Sequence, residues 1–166
     1  MGQNKESDSV KSKEPDVLKY GKEFHKLVQA DWQSTAKGEI SSEKLVRKPS
    51  GRHGRIDVHA AFQAGKSVTV LEIKATDWDK ISEQAVRRNV NRQACQVWKY
   101  IESQLIDGKT VSPGIAFPKR PESPDRLQTI ETLFGEQGIA VVWYDESLEY
   151  RRVRGRAPEG LDTRQK

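Results

Sequence analysis

The chain has 166 residues, of which 34% are hydrophobic and 32% charged, and its formal net charge is +5. The length fits one domain with one modest core, no run approaches the roughly 20 apolar residues that span a bilayer, and a single cysteine excludes a disulfide scaffold. Because the N-terminus also lacks an apolar signal segment, we expect a cytoplasmic protein, and the positive charge favours an anionic partner.

The two ends of the chain differ in composition from its centre. Residues 1–15 are polar, with Val10 as their only large aliphatic residue beyond the initiator methionine, and we predict a disordered lead. Residues 151–166 carry six basic residues against Glu159 and Asp162, which predicts a basic C-terminal tail. Residues 16–150 are therefore the expected folded domain.

The first half of this domain changes from helical to strand periodicity. A helix is predicted to begin at Pro15 and Asp16 and to end before Gly38. Its apolar face contains Val17, Tyr20, Phe24, Leu27, Val28 and Trp32. Strands are predicted over 39–47, 55–62 and 67–76, and a turn at 63–66 makes the last two a hairpin.

The second half alternates between helices and strands. An apolar stripe predicts a long helix over 81–105 that Gly108 closes, followed by a strand over 111–117. Ser123 and Pro124 are a typical cap and first residue for a further helix, and a last strand is predicted over 139–144. The order αβββαβαβ implies an α/β fold in which helices flank a small mixed sheet.

Two charged residues, Glu72 and Lys74, interrupt the most hydrophobic strand, in V-T-V-L-E-I-K-A. Because side chains alternate along a strand, both project from the same face as Val68 and Val70. A charge in a central strand is costly unless it is paired, binds a metal or lies at an opening. An internal ion pair or a strand-end charge explains either residue alone, so the interpretation depends on their neighbours.

Asp57 raises the same question in the preceding strand, and the hairpin can bring its carboxylate beside Glu72. The two carboxylates would hold a hard divalent cation, Mg²⁺ with Mn²⁺ as a substitute, and the backbone carbonyl of Ile73 would be a further ligand. Such an ion polarises a phosphate and lowers the pKa of a bound water, which Lys74 would orient. The pattern therefore indicates hydrolysis of a phosphodiester.

These residues resemble the PD-(D/E)XK nuclease superfamily, which includes many restriction enzymes, Holliday-junction resolvases and RecB-like exonucleases. The matching motifs are G-R-I-D, which ends at Asp57, and L-E-I-K, which contains Glu72 and Lys74. Ile56 stands where the family pattern has a proline. The resemblance covers residues from about 16 to 145 and implies a restriction-endonuclease-like core, so that 16–150 would be a nuclease-like domain.

The resemblance adds three residues to the expected site. Glu23 lies in the first helix, from which family members often contribute a glutamate to the metal site, although a solvated helix residue is the alternative. Gln96 and Tyr100 stand four apart in Q-V-W-K-Y and share one helix face. This spacing is similar to the QxxxY motif of RecB-like nucleases, where it helps line the site and contact the substrate.

Basic residues are expected to form a rim that contacts phosphates, although each alone is also explained as a solubilising surface charge. They are Arg52, Arg55, Arg87, Arg88, Arg92, Lys119 and Arg120. Trp78 and Trp98 are candidates for stacking on bases, with burial in the core expected for Trp98. The three histidines share no zinc-ligand spacing with Cys95, which argues against a structural zinc site.

The sequence thus predicts a metal-dependent endo- or exonuclease, with DNA favoured over RNA as the substrate. Many relatives of the fold act as homodimers, which is the assembly that the resemblance allows. Two alternatives stay open. The first is a non-catalytic nucleic-acid-binding module on the same fold, and the second is a toxin-like RNase that acts on structured RNA.

Overall fold

The computed structural model describes residues 14–147 and 149–151, so most of the expected lead and of the basic tail lies outside the described residues. The helices are α1 (Asp16–Thr35), α2 (Glu83–Ile106) and α3 (Pro124–Glu136). The strands are β1 (Glu39–Arg47), β2 (His53–Phe62), β3 (Ser67–Ile73), β4 (Thr110–Phe117) and β5 (Ala140–Trp143). Apart from a short 3₁₀ turn at Trp78–Lys80, this is the predicted element order.

The five strands form one mixed sheet in the order β1-β2-β3-β4-β5. The β1–β2 and β2–β3 pairs are antiparallel and are joined by short turns. The β3–β4 and β4–β5 pairs are parallel, so each needs a crossover, and α2 and α3 are those crossovers. The predicted α/β class is confirmed. Within the described ranges, no helix is both long enough and apolar enough to cross a membrane.

Helix ends follow the chemistry that the sequence predicts. The Ser123 hydroxyl accepts a hydrogen bond from the Arg126 backbone N–H at 3.3 Å, which caps α3. Gly108 follows α2 with φ +73°, a conformation that glycine adopts at little cost. These signals mark where α2 ends before β4 and where α3 begins after it.

The sheet has a different hydrophobic layer on each face. On one face, α2 and α3 cover a core that contains the aromatic residues Trp78, Phe117, Phe134 and Trp143. On the other face, α1 packs Phe24 and Val28 against residues of β2 and β3. The α2 face is the larger layer, and the α1 face is a narrow one.

Some predicted core positions are wrong. Val17, Tyr20 and Leu27 are exposed, because the residues that α1 buries against the sheet are Phe24 and Val28. The two tryptophan predictions are also wrong. Trp78 is buried against Phe117, whereas Trp98 is 37% exposed and donates its indole N–H to the Gln137 carbonyl at 3.2 Å.

The predicted strand over 67–76 ends three residues early, at Ile73. The Lys74 N–H still donates to the Ala116 carbonyl at 2.9 Å, so the ladder with β4 continues for one more bond. Lys74 therefore lies just after the strand end, where its side chain can leave the core.

Candidate active site

Three carboxylates form a row across neighbouring strands, and we call Glu43, Asp57 and Glu72 the acidic row. In the β1–β2 register, Glu43 lies between the pairs Ser42–Val58 and Lys44–Ile56, so it is opposite Asp57. The β2–β3 pairs end at Val58–Leu71, and the next position in that register places Asp57 opposite Glu72. The row therefore runs from the edge strand β1 into the centre of the sheet.

In both β1 and β2, the alternation of side chains between the two faces of the sheet reverses at the acidic row. Ile40 packs on the α1 side and Val46 on the α2 side, although their even spacing should put them on one face. In β2, Val58 packs on the α1 side and Ile56 on the α2 side in the same way. Glu43 has φ +54°, in the left-handed region, and provides this reversal in β1. The row consequently lies where the two faces meet.

The Asp57 side chain takes the place of a backbone acceptor between β2 and β3. Its Oδ2 accepts the Ile73 backbone N–H at 2.7 Å, so the carboxylate lies between β2 and β3 instead of entering either core. Its Oδ1 is 3.8 Å from Nδ1 of His25 on α1. Ligand atoms of His25, Glu43 and Asp57 all lie within 4.8 Å of one another, a spacing that suits a metal ion.

Gln29 holds the exposed end of the acidic row in place. Its side-chain amide donates to Glu43 Oε1 at 2.8 Å and to the Asp57 backbone carbonyl at 3.2 Å. A cavity of about 710 Å³ beside α1 is lined by His25, Gln29 and Glu43 among others, so the row is open to solvent from this side.

The buried end of the row is a network of three residues. Lys74 Nζ lies 2.9 Å from Glu72 Oε1 and donates to Gln96 Oε1 at 2.9 Å. The Gln96 amide donates to the same Glu72 oxygen at 2.6 Å. The other oxygen, Glu72 Oε2, is buried and has no hydrogen-bond partner in the part of the chain that is described. A buried carboxylate oxygen without a partner is unfavourable unless a ligand completes its contacts.

The two buried carboxylates also resist ionisation. Burial and then the charge of Asp57 raise the pKa of Glu72 to about 7, while Lys74 opposes this rise. Burial likewise raises the pKa of Asp57, and the hydrogen bond from Ile73 acts in the opposite direction. A cation between them would favour the ionised form of both groups.

The structure brings together most of the residues predicted for the catalytic centre. Glu72, Lys74 and Gln96 contact one another directly, and Asp57 is linked to the same strand by the hydrogen bond that it accepts from the Ile73 N–H. Tyr100 is buried one helical turn after Gln96, and burial and the charge of Glu72 raise its pKa.

Glu23 is exposed, and the three-residue ligand group of His25, Glu43 and Asp57 contains neither Glu23 nor Glu72. Phe24 faces the core, and successive residues of a helix are about 100° apart. Glu23 and His25 therefore lie on opposite sides of the buried stripe, and only the His25 side faces the acidic row.

The predicted basic rim divides into two groups. Arg88 and Arg92 are exposed on the same line of α2 as Gln96, and Arg52 and Arg55 are exposed before and within β2. The others have neighbours elsewhere. Lys119 pairs with Asp77 and Asp79, Arg120 pairs with Asp145 and Glu146, and Arg87 lines a cavity against α3.

Sequence reasoning missed His25, Gln29 and Glu43. Their roles depend on the packing of α1 across β1 and β2 and on the change of face at Glu43. The signal within reach was helix spacing, since His25 and Gln29 are four residues apart on one side of the Phe24–Val28 stripe.

Gly54 leaves space for the Tyr100 ring at the edge of the site. A Cβ at this position would lie 2.9 Å from Tyr100 Cε1 and would also overlap the Lys48 side chain. We expect Gly54→Ala to lower the free energy of unfolding by about 1–3 kcal/mol, measured by chemical denaturation. Gly135→Ala in α3, where nothing lies within 4 Å of the added Cβ, is the control and should be neutral or slightly stabilising. Equal effects in the two variants would contradict this explanation.

Comparison of the chain with protein-family models and with curated protein sequences finds no match. The geometry of the acidic row and the charges around it are therefore the basis for assigning a function.

Proposed function

We propose that this chain is a metal-dependent nuclease with a restriction-endonuclease-like core, in which the acidic row and Lys74 form the active site. The observation that carries the proposal is Glu72. It is 3% exposed, its Oε2 has no partner among the described residues, and it lies beside a second buried carboxylate. The free Oε2 is the position at which a bound ion would complete the contacts of this carboxylate.

The donor set fits a divalent cation. Asp57 and Glu72 would bind it through oxygen, as Mg²⁺ and Mn²⁺ require, with Glu43 as a further carboxylate and the Ile73 carbonyl as a backbone ligand. His25 adds a nitrogen donor 3.8 Å from Asp57, which suits Mn²⁺ and other transition ions better than Mg²⁺. A cation held here would supply positive charge to a phosphate and acidify a nearby water.

The chain's own residues would then orient the reaction. Lys74 points its ammonium group at Glu72 and Gln96 from the end of β3, and its side chain is 26% exposed, so it can also contact a substrate. In hydrolysis, a water oxygen bonds to phosphorus, one P–O bond breaks, and the leaving oxygen takes a proton. Lys74 would stabilise the charge that develops on the phosphate oxygens, and Gln96 would hold Lys74 and Glu72 in position.

Exposed positive charge favours a polyanionic substrate, that is, a nucleic acid. Arg88 and Arg92 are exposed on the α2 line that leads to Gln96, Arg52 and Arg55 are exposed before and within β2, and all four can contact a polyanionic backbone. The motif resemblance favours DNA over RNA, and a toxin-like RNase would use the same residues on another polymer.

A cleavage assay tests this function. Purified protein should cut at least one of duplex DNA, branched DNA and tRNA with Mg²⁺ or Mn²⁺, and a chelator should abolish the activity. Asp57→Asn should abolish it too, because one ligand is neutralised. Asp125→Asn, an exposed residue in the first turn of α3, is the matched control and should retain activity.

Two outcomes would contradict the proposal. The first is the absence of cleavage with every ion and polymer. The second is nucleic-acid binding that is unchanged by Asp57→Asn without any cleavage, which would identify a non-catalytic binding module.

A further inference from the structure

A second cavity lies between β1 and the C-terminal half of α2, and we call it the basic pocket. Its volume is about 530 Å³. Among its described lining residues, four are basic and one is acidic: Lys44, Arg47, Lys48 and Lys109, against Asp107. None of the four belongs to the rim that the sequence predicts.

Two lysines converge on a buried polar pair at the base of this pocket. Lys44 Nζ lies 3.5 Å from His59 Nε2, and Lys109 Nζ donates to Gln104 Oε1 at 3.5 Å. His59 and Gln104 are almost fully buried and contact each other at 3.1 Å. Burial and the charge of Lys109 lower the pKa of Lys44, while Glu39 and Asp107 act in the opposite direction. The pocket thus holds excess positive charge that a bound anion would compensate.

The basic pocket lies farther along α2 than the candidate active site. Gln96, Tyr100 and Gln104 follow one another at intervals of one helical turn on the same face. Lys48 Nζ lies 5.3 Å from the centre of the Tyr100 ring, so Tyr100 separates the pocket from Glu72. At 1.5 Å rise per residue, Gln104 is about 12 Å along the helix from Gln96.

We propose that the basic pocket binds the phosphate backbone of the nucleic acid that the acidic row cleaves, about three to four nucleotides from the cleaved bond. This inference rests on the proposed function. The spacing follows from the 12 Å separation and the roughly 3.4 Å of helix axis that each nucleotide of a strand occupies. Lys44 and Lys109 contact backbone phosphates, so they position the substrate without reading its sequence.

Binding measurements without cleavage test the pocket separately from the chemistry. The full chain is titrated onto fluorescent duplex DNA in a chelator, and the anisotropy is followed at a series of salt concentrations. The double variant Lys44→Gln, Lys109→Gln should bind roughly 10-fold or more weakly, and its log–log salt slope should be smaller by about two. Lys109→Gln alone should show about half of the change in slope, and thermal melts confirm that each variant is folded.

Lys80→Gln is the matched control. Lys80 lies on the 3₁₀ turn with its side chain 84% exposed, and we expect wild-type affinity and slope. A double variant that binds like the wild type, or a wild type that binds no nucleic acid, overturns the inference. Cleavage that persists alongside unchanged binding in the double variant would refute the pocket and leave the proposed nuclease standing. If the double variant binds more weakly but the wild type never cleaves, the pocket stands as a nucleic-acid-binding site and the proposed nuclease activity is refuted.

Discussion

Replacing Lys74 with alanine should lower the rate of metal-dependent cleavage by about 10²–10³-fold, as the loss of one charge-stabilising donor does in other active sites. The side chain lies just after β3 and makes its two hydrogen-bond contacts at 2.9 Å with Glu72 and Gln96. Removing it also leaves Glu72 without its nearest cation, so the glutamate binds a proton more readily. Single-turnover cleavage with the most active ion measures the effect.

Controls separate chemistry from folding in this experiment. Lys80→Ala removes an exposed lysine from the following turn and should leave the rate unchanged. Because Lys74 is partly exposed, the alanine variant should keep a cooperative unfolding transition. A folded Lys74→Ala protein with wild-type activity would rule out the proposed role.

Replacing Glu72 with glutamine should stabilise the metal-free protein at pH 8 by roughly 2–3 kcal/mol, although it removes a proposed metal ligand. The Glu72 pKa is raised from its ordinary value of 4.5 to about 7, chiefly by burial. The wild type therefore has to ionise a buried carboxyl group above neutral pH, and glutamine avoids this cost while retaining an oxygen for Lys74.

The sign of the pH dependence follows from proton counts. Between about pH 4.5 and 7 the folded state holds a proton on Glu72 that the unfolded state has lost, so wild-type stability falls as pH rises through this window. Glu72→Gln should lack this fall, and below pH 4.5 the two proteins should be equally stable. The pKa of His59 is lowered by burial in both proteins, whereas Asp57 and Glu72 interact, so the difference between the two proteins reports on this pair of carboxyl groups.

Metal addition should reverse the ranking. Mn²⁺ should raise the melting temperature of the wild type in a concentration-dependent way and that of Glu72→Gln less, because the variant keeps His25, Glu43 and Asp57 but lacks the Glu72 carboxylate. A variant that is less stable than the wild type at pH 8 without metal would show that Glu72 is a structural ion-pair partner of Lys74. That result would remove the main support for the active site.

The order of elements is predictable from this sequence because each change in hydrophobic period is sharp. The apolar runs of β3 and β5 and the Ser123-Pro124 start of α3 are local signals. No local sequence signal determines which face of α1 is buried or whether Trp98 is exposed. Both depend on how much sheet each helix covers, which is decided by the crossovers.

The candidate site is predictable where a charge interrupts an apolar strand. Glu72, Lys74 and Asp57 meet that condition, and Gln96 is added by the resemblance of its spacing from Tyr100 to the QxxxY motif. Glu43 and His25 do not interrupt an apolar strand. Glu43 belongs to the row only because of the β1 register and its φ of +54°. Lys44 and Lys109 are far apart in sequence, so no motif links them before the chain folds.

The acidic row contains one residue from each of three adjacent strands, and this arrangement links ligand binding to the accuracy of folding. A one-residue slip of β1 against β2 would move Glu43 away from Asp57 and turn its side chain to the other face. A slip within the β2–β3 hairpin would separate Asp57 from Glu72 in the same way. An ion held by all three carboxylates, as proposed, would bind only chains in which both registers are correct, and so would favour those chains over misaligned ones.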